Sequence, residues 1–226
     1  MTGRQYFGQK GQDQWIVEEV FPGKRNGWFL DLAATDGQTL SNTLVLEREF
    51  GWSGLAIEPN PASFELLQQK RTCHTCSSCI DADFGTVEFL PNRELGGIIS
   101  DDTDNALAIR PSLIKEWRES GKTLTVPTMP LAHVLDQYNA PAVIDFFSFD
   151  VEGAETRILR NFPFTRYRFM AMCIERPTLE LNALLFHHGY AFVRNRQFDS
   201  FYVHESLPSI GILARDKFEQ VPKKDW

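Results

Sequence analysis

The chain has 226 residues, a formal net charge of −7, 42% hydrophobic residues and 23% charged residues. That length suits one α/β domain with a sizeable core, and the balance excludes a disordered chain. The acidic surplus argues against a nucleic-acid partner, which needs a basic face, and no run approaches the ~20 apolar residues of a membrane-spanning helix.

Residues 1–26 are expected to form an N-terminal arm. Gln5, Gln9, Gln12, Asp13, Glu18 and Glu19 interrupt it, so it carries no apolar secretory segment, and a cytoplasmic location with reduced thiols is expected. Trp15, Ile16 and Val20 have helical spacing over Gln14–Val20, and Phe21-Pro-Gly23 stops that helix. The first strand is Trp28–Ala33. It ends in Asp31, and a small-residue turn carrying Ala33, Asp36 and Gly37 follows. A helix comes next, with Ser41 or Asn42 as N-cap and Leu44, Val45, Leu46 and Phe50 as its apolar side. The second strand, Gly54–Ile57, runs into Glu58 and Asn60, and Pro61 opens a helix to Gln69.

The third strand is predicted at Ser77–Ile80, followed by Asp81. Cys73, Cys76 and Cys79 form a C-x2-C-x2-C run beside His74 that resembles a metal site. The run enters a strand, where a spacing of three alternates faces, so packed thiols are the expectation. Thr86–Leu90 reads as a further strand. Residues 91–130 are irregular, with Gly96-Gly97 and Asp101-Asp102 marking loops, a short helix within Ile109–Ser120 and a β-like Thr123–Thr128. Leu131–Tyr138 is helical.

The fourth strand, Ala142–Phe149, leads directly into Asp150, Glu152 and Glu155, and a helix then runs to Asn161. Acids at a helix start complement its dipole, which accounts for Glu155. Asp150 and Glu152 sit at the strand end itself, where a cleft should open. The fifth strand is Phe169–Ile174, with Glu175 at its end. Leu179–His188 is a helix, Tyr190–Val193 and Phe201–Val203 form a hairpin joined through Asn195–Ser200, and residues 207–226 are a C-terminal tail, charged and expected to fray after Ala214. His133, His187, His188 and His204 lie within apolar elements and read as structural. Arg157, Arg160, Arg166 and Arg168 read as solvated surface charges.

Repeated strand–helix alternation predicts an α/β, Rossmann-like, doubly wound and mostly parallel seven-stranded sheet. Helices should cover both faces, and the hairpin should add an antiparallel edge. Ligands on such sheets sit beyond the carboxyl ends of the strands. The turn after the first strand lacks the G-x-G-x-x-G that admits a pyrophosphate, which argues against a nicotinamide-dependent reductase. Its acids suit the ammonium and sulfonium of S-adenosylmethionine (SAM) instead. Glu58 can accept both ribose hydroxyls with its two oxygens, and Asp81 can meet the adenine amino group. Asp150 can serve as general base toward an acceptor hydroxyl. A divalent metal held by the oxygens of Asp150, Glu152 and Glu155 is a second reading of the same acids.

With those residues in hand, the chain resembles the FkbM-type SAM-dependent methyltransferases. The likeness rests on Gly8–Asp13, Phe29–Gly37, Ser41-Asn-Thr43 with Leu46-Glu47, Gly51–Pro61, Ile144–Glu155 and Ile174-Glu175. It implies a methyltransferase domain over 27–206 that transfers methyl groups to the oxygen of a small molecule, sugar or glycan. It implies a SAM pocket of Asp31, Asp36, Gly37, Ser41, Asn42 and Glu58, joined by Ala33, Asn60 and Asp81, with the arm residues Gln9, Gln12 and Asp13 folded over it. Asp150, Glu152 and Glu155 would line the acceptor side, and 91–130 would set acceptor specificity. The family often has glycine at the position of Ala33. A SAM-binding module without turnover, acting as a sensor or partner subunit, stays open as the alternative. Oligomeric state is not legible.

Overall fold

In the computed structural model, which describes residues 4–222, the strands form two sheets. The larger has seven strands: β1 Trp28–Leu32, β2 Ser53–Ile57, β3 His74–Cys76, β8 Val143–Phe149, β9 Arg168–Glu175, β10 Tyr190–Arg196 and β11 Asp199–His204. Their order is β10-β11-β9-β8-β1-β2-β3. Pairing is parallel from β3 through β2, β1 and β8 to β9, and antiparallel for β9–β11 and β11–β10. The expected sheet and its antiparallel edge are therefore present. Strand order reverses between β1 and β8, and the crevice that opens at such a reversal is a ligand site in open α/β sheets.

Alternation along the strands builds two cores. Leu30, Leu32, Phe147 and Phe149 face one side, where α5 (Leu131–Gln137), α6 (Glu155–Leu159) and α7 (Leu179–His187) pack. Phe29, Phe146, Cys173 and Phe201 face the other. That side is covered by α2 (Leu44–Phe50) and by the arm, whose α1 (Gln12–Trp15) continues as a π-helical turn, Ile16–Val20, burying Trp15 and Ile16 completely. Asn60 Oδ1 accepts from Ala62 N at 3.1 Å and caps α3 (Pro61–Lys70).

Four expectations are corrected. The third strand of the main sheet is His74–Cys76, because Leu55–Ile57 pairs with those residues in register. Cys79–Ile80 forms β4 of the second sheet, pairing with Thr128-Met129. Cys76 and Cys79 are thus buried in different sheets. Second, segment 91–130 is organised. It supplies β6 (Gly97–Ile98), α4 (Pro111–Glu119) and β7 (Leu124–Met129), and with β5 (Gly85–Leu90) they complete a four-stranded sheet, β4-β7-β5-β6. Third, the tail to residue 222 is docked. Asp216 N donates to Val193 O at 2.7 Å, Gln220 Nε2 donates to Pro177 O at 2.6 Å, and Phe218 packs on Phe186 and Phe192. The hairpin also closes more tightly than expected, through Gln197-Phe198 alone. No helix among the described residues is long and apolar enough to cross a membrane.

Candidate functional site

The turn after β1 is shaped by backbone conformation. Ala33 (φ 70), Thr35 (φ 47), Gly37 (φ 76) and Leu40 (φ 55) are all left-handed. Ala33 N and Ala34 N both donate to Ile57 O at 3.0 Å, tying the turn to the end of β2. An alanine held left-handed costs about 1–2 kcal/mol, partly offset by its smaller entropy in the unfolded chain. Ala33→Gly is therefore expected to stabilise the protein by about 1 kcal/mol, read as a rise in melting temperature.

Glu58 clamps the two strand ends. Its Oε2 accepts from Thr35 N at 2.9 Å and its Oε1 from Asn60 N at 2.8 Å. Burial pushes its carboxyl up to about 7, against those two amide bonds. Asp31 lies opposite Ser148 in the β1–β8 register. It accepts from Thr43 Oγ1 at 2.5 Å and from the Ser148 hydroxyl, and Asn42 Nδ2 donates to Ser148 Oγ at 3.0 Å. Asp31 is raised by burial and pulled back down first by Arg71.

Arg71, whose side chain is 0% exposed, organises this region from beneath. Its Nε donates to Glu47 Oε2 at 2.7 Å, Nη2 to Thr43 Oγ1 at 3.0 Å and Nη1 to Gly37 O at 3.3 Å, and Nη1 stands 4.0 Å from Asp31 Oδ2. Nothing in the sequence around Arg71 announces this role.

These elements enclose a cleft of about 1020 Å³, counting its open mouth. Among the expected site residues, Gln9, Gln12, Asp31, Ala33, Ser41, Asn42, Glu58 and Asp150 line it. The others stand outside its wall, for identifiable reasons. Asp36 is spent on the amides of Gln38 and Thr39 and on Lys70 Nζ at 2.5 Å; against the upward effect of burial, these bonds hold it at about 2. Gly37 backs onto Arg71 and Leu67, Asn60 caps α3, and Asp13 ties down Phe7 N and Gly8 N. Asp81 differs from the expected adenine contact because Arg157 engages both its oxygens, Nε to Oδ1 at 2.6 Å and Nη2 to Oδ2. Apolar walls that sequence reasoning missed come from Leu32, Pro59, Ile80, Phe89 and Val151. Phe89 belongs to the unforeseen second sheet. Ser148, alone among apolar neighbours in Phe146-Phe-Ser-Phe149, was the visible polar signal.

Beyond β8 the three acids separate. Glu152 (φ 55) pairs with Arg110 at 3.0 Å, and Glu155 accepts from Val151 N at 2.9 Å. Burial pushes Glu155 up to about 8. Asp150 alone faces the cleft. Register sets it beside Glu175, since Phe149 pairs with Ile174, and Glu175 in turn pairs with Asp199. The Asp150 carboxyl lies well above the ordinary range, first from burial and then from Glu175. Of the three acids, Asp150 is the one exposed toward the cleft. Asp199 is pushed to about 7 by burial and then Glu175, and it accepts from Gln12 Nε2 at 2.6 Å.

The three acids of the second reading, Asp150, Glu152 and Glu155, are not brought together: Glu152 pairs with Arg110 and Glu155 with backbone amides. Oxygens of Asp104, Glu152 and Glu175 do lie within 4.8 Å of one another, but Arg110 already compensates Glu152 there.

The turn is also locked to the second sheet. Asp104 N donates to Glu152 O at 2.8 Å, a Cβ on Gly97 would stand 3.1 Å from Glu152 Cβ, and one on Gly153 would stand 2.6 Å from Asp104 N.

Glu58, Asp199 and Glu155 hold protons in the folded protein that the unfolded chain releases at ordinary carboxylate pKa values. Stability of the ligand-free protein is therefore expected to fall as pH rises from about 4.5 to 8, read as a melting temperature that declines across that window.

A doubly wound, mostly parallel sheet whose neighbouring strand ends deliver acids to one cleft defines a Rossmann-like α/β fold. The chain belongs to the FkbM methyltransferase family: the methyltransferase FkbM domain matches residues 31–206. Among solved structures, the METTL16 MTase domain (crystal form 2) is similar at 11% identity and a TM-score of 0.42, over 85% of this chain. This chain spans 65% of that one. No curated protein matches it in sequence.

Proposed function

We propose that this protein transfers the methyl group of SAM to a hydroxyl oxygen of a small-molecule, sugar or glycan acceptor. The observation that carries the reading is the convergence of Asp31, Glu58 and Asp150, from the ends of three adjacent strands, on one cleft. An orphaned atom supports it: Asn42 Oδ1 is buried without a donor among the described residues, as suits a site awaiting an ammonium. When bound, SAM supplies an electrophilic methyl on its sulfonium. Asp31 and Asn42 would orient the cationic end, and Glu58 would accept the ribose hydroxyls with lone pairs left by its two amide bonds. Leu32, Pro59, Ile80 and Phe89 would exclude water around the base. Asp150 would take the acceptor proton as general base.

Calorimetry with S-adenosylhomocysteine (SAH) tests the donor site. Its affinity is expected to rise with pH through about 7, because ionised Glu58 is the better acceptor of ribose hydroxyls. Labelled SAM with acceptor libraries, with and without chelator, tests transfer. SAH binding with no methylation across the panel would favour the non-catalytic module; no binding at all would overturn both readings.

A further inference from the structure

We propose that Arg93 receives an anionic group of the acceptor, so that the hydroxyl compound methylated here carries a carboxylate or a phosphate. The inference rests on the methyl-transfer reading above and narrows its substrate class. Arg93 is the one cation among the described residues that line the donor cleft, whose acids are Asp31, Glu58 and Asp150. It is exposed, and its guanidinium has no hydrogen bond or ion pair among the described residues. The arginines nearest the cleft's other walls are spent, Arg110 on Glu152 and Arg157 on Asp81.

The backbone holds this cation in place. Arg93 is left-handed (φ 43) in the turn that closes the β5–β6 hairpin. That conformation is unfavourable for any residue but glycine, and such outliers gather at binding sites. Three bonds keep the turn tight: Asn92 N donates to Leu90 O at 3.0 Å, Leu95 N to Asn92 O at 2.9 Å, and Gly96 N to Arg93 O at 3.0 Å. Arg110 then ties this tip to the turn that carries Asp150. Its Nη1 donates to Leu95 O at 3.4 Å and its Nη2 to Glu152 Oε2 at 3.0 Å. Gly97, where β6 begins, packs on the same turn, and a Cβ there would stand 3.1 Å from Glu152 Cβ. A free guanidinium and the proposed base are therefore fixed in one frame along one cleft. Such a frame suits a molecule that presents a hydroxyl to Asp150 and an anion to Arg93. A guanidinium takes a carboxylate or a phosphate through two parallel N–H···O bonds. The donor's own carboxylate shares a carbon with its ammonium, so it would stay beside Asp31 and Asn42, on the β1 side.

The test is ligand-observed NMR with glucose, glucuronate and glucose 6-phosphate in the presence of excess SAH. At least one of the two anions is expected to bind about tenfold tighter than glucose, and the tighter of the two identifies the group. Arg93→Gly removes the cation and suits the left-handed backbone, so it should fold at least as well as the parent, keep SAH affinity and bind all three sugars alike. Arg93→Lys should retain part of the preference. Glucose bound as tightly as both anions, no binding of any of the three, or a preference that survives Arg93→Gly would overturn the assignment. Loss of SAH affinity in Arg93→Gly would also overturn it, because Arg93 would then be holding the donor's carboxylate. Absent SAH binding by the parent with the anion preference intact would overturn the donor reading and leave Arg93 as an anion site.

Discussion

Arg71→Met is expected to destabilise the protein by about 3–5 kcal/mol and to abolish measurable SAH binding. The guanidinium is fully enclosed and is the buried counter-charge to both Glu47 and Asp31. Removing it strands two carboxylates in the interior, and such uncompensated charges cost far more than the pair contributes when intact. It also frees Gly37 O, Thr43 Oγ1 and the Ser41 hydroxyl, which fix the turn and the start of α2. Arg71→Lys should rescue poorly, because one ammonium cannot reproduce a planar fork spread over several acceptors. Chemical denaturation and calorimetry measure the two effects. A variant that melts and binds like the parent would show that the turn holds itself.

Asp150→Asn is expected to leave SAH affinity nearly unchanged and to slow methyl transfer by about 10²–10⁴, the usual contribution of a general base. Asn keeps the shape and removes the proton acceptor. It also removes one of the acids in the row formed with Glu175 and Asp199, so the variant should lose less stability on going to high pH than the parent. Glu152→Gln provides the contrast. That side chain faces Arg110 rather than the cleft, so its loss should lower the melting temperature and affect transfer only through the turn's position. Single-turnover rates with labelled SAM separate the two. Equal rates for Asp150→Asn and the parent would remove Asp150 from the chemistry.

The central part of this architecture was legible because β2 and β8 are apolar runs that stop at an acid, Glu58 and Asp150, and β1 carries Asp31 one residue before its end. Asp31, Glu58 and Asp150 could be assigned to one edge on that ground alone. The third strand was misplaced because Cys79-Ile80 is as β-like as His74–Cys76, and only pairing with Leu55–Ile57 decides between them. The second sheet was illegible for a related reason: β5 pairs with β7 across α4 and β6, and no local pattern records so distant a partner. Asp36, Asn60 and Asp81 have the residue type and position of ligand contacts, but Lys70, Ala62 N and Arg157 claim them. The residue carrying most of the turn's order, Arg71, sits at the frayed-looking end of a helix, where an arginine is ordinarily a surface charge.

The bond from Asp104 N to Glu152 O, the Arg110–Glu152 pair and the crowding of Gly153 against the neighbouring backbone bind residues 97–110 to 150–155. Chimeras between relatives must therefore move these two stretches as a cassette. Grafting either one alone would break these contacts and leave the Asp150 strand end without its support.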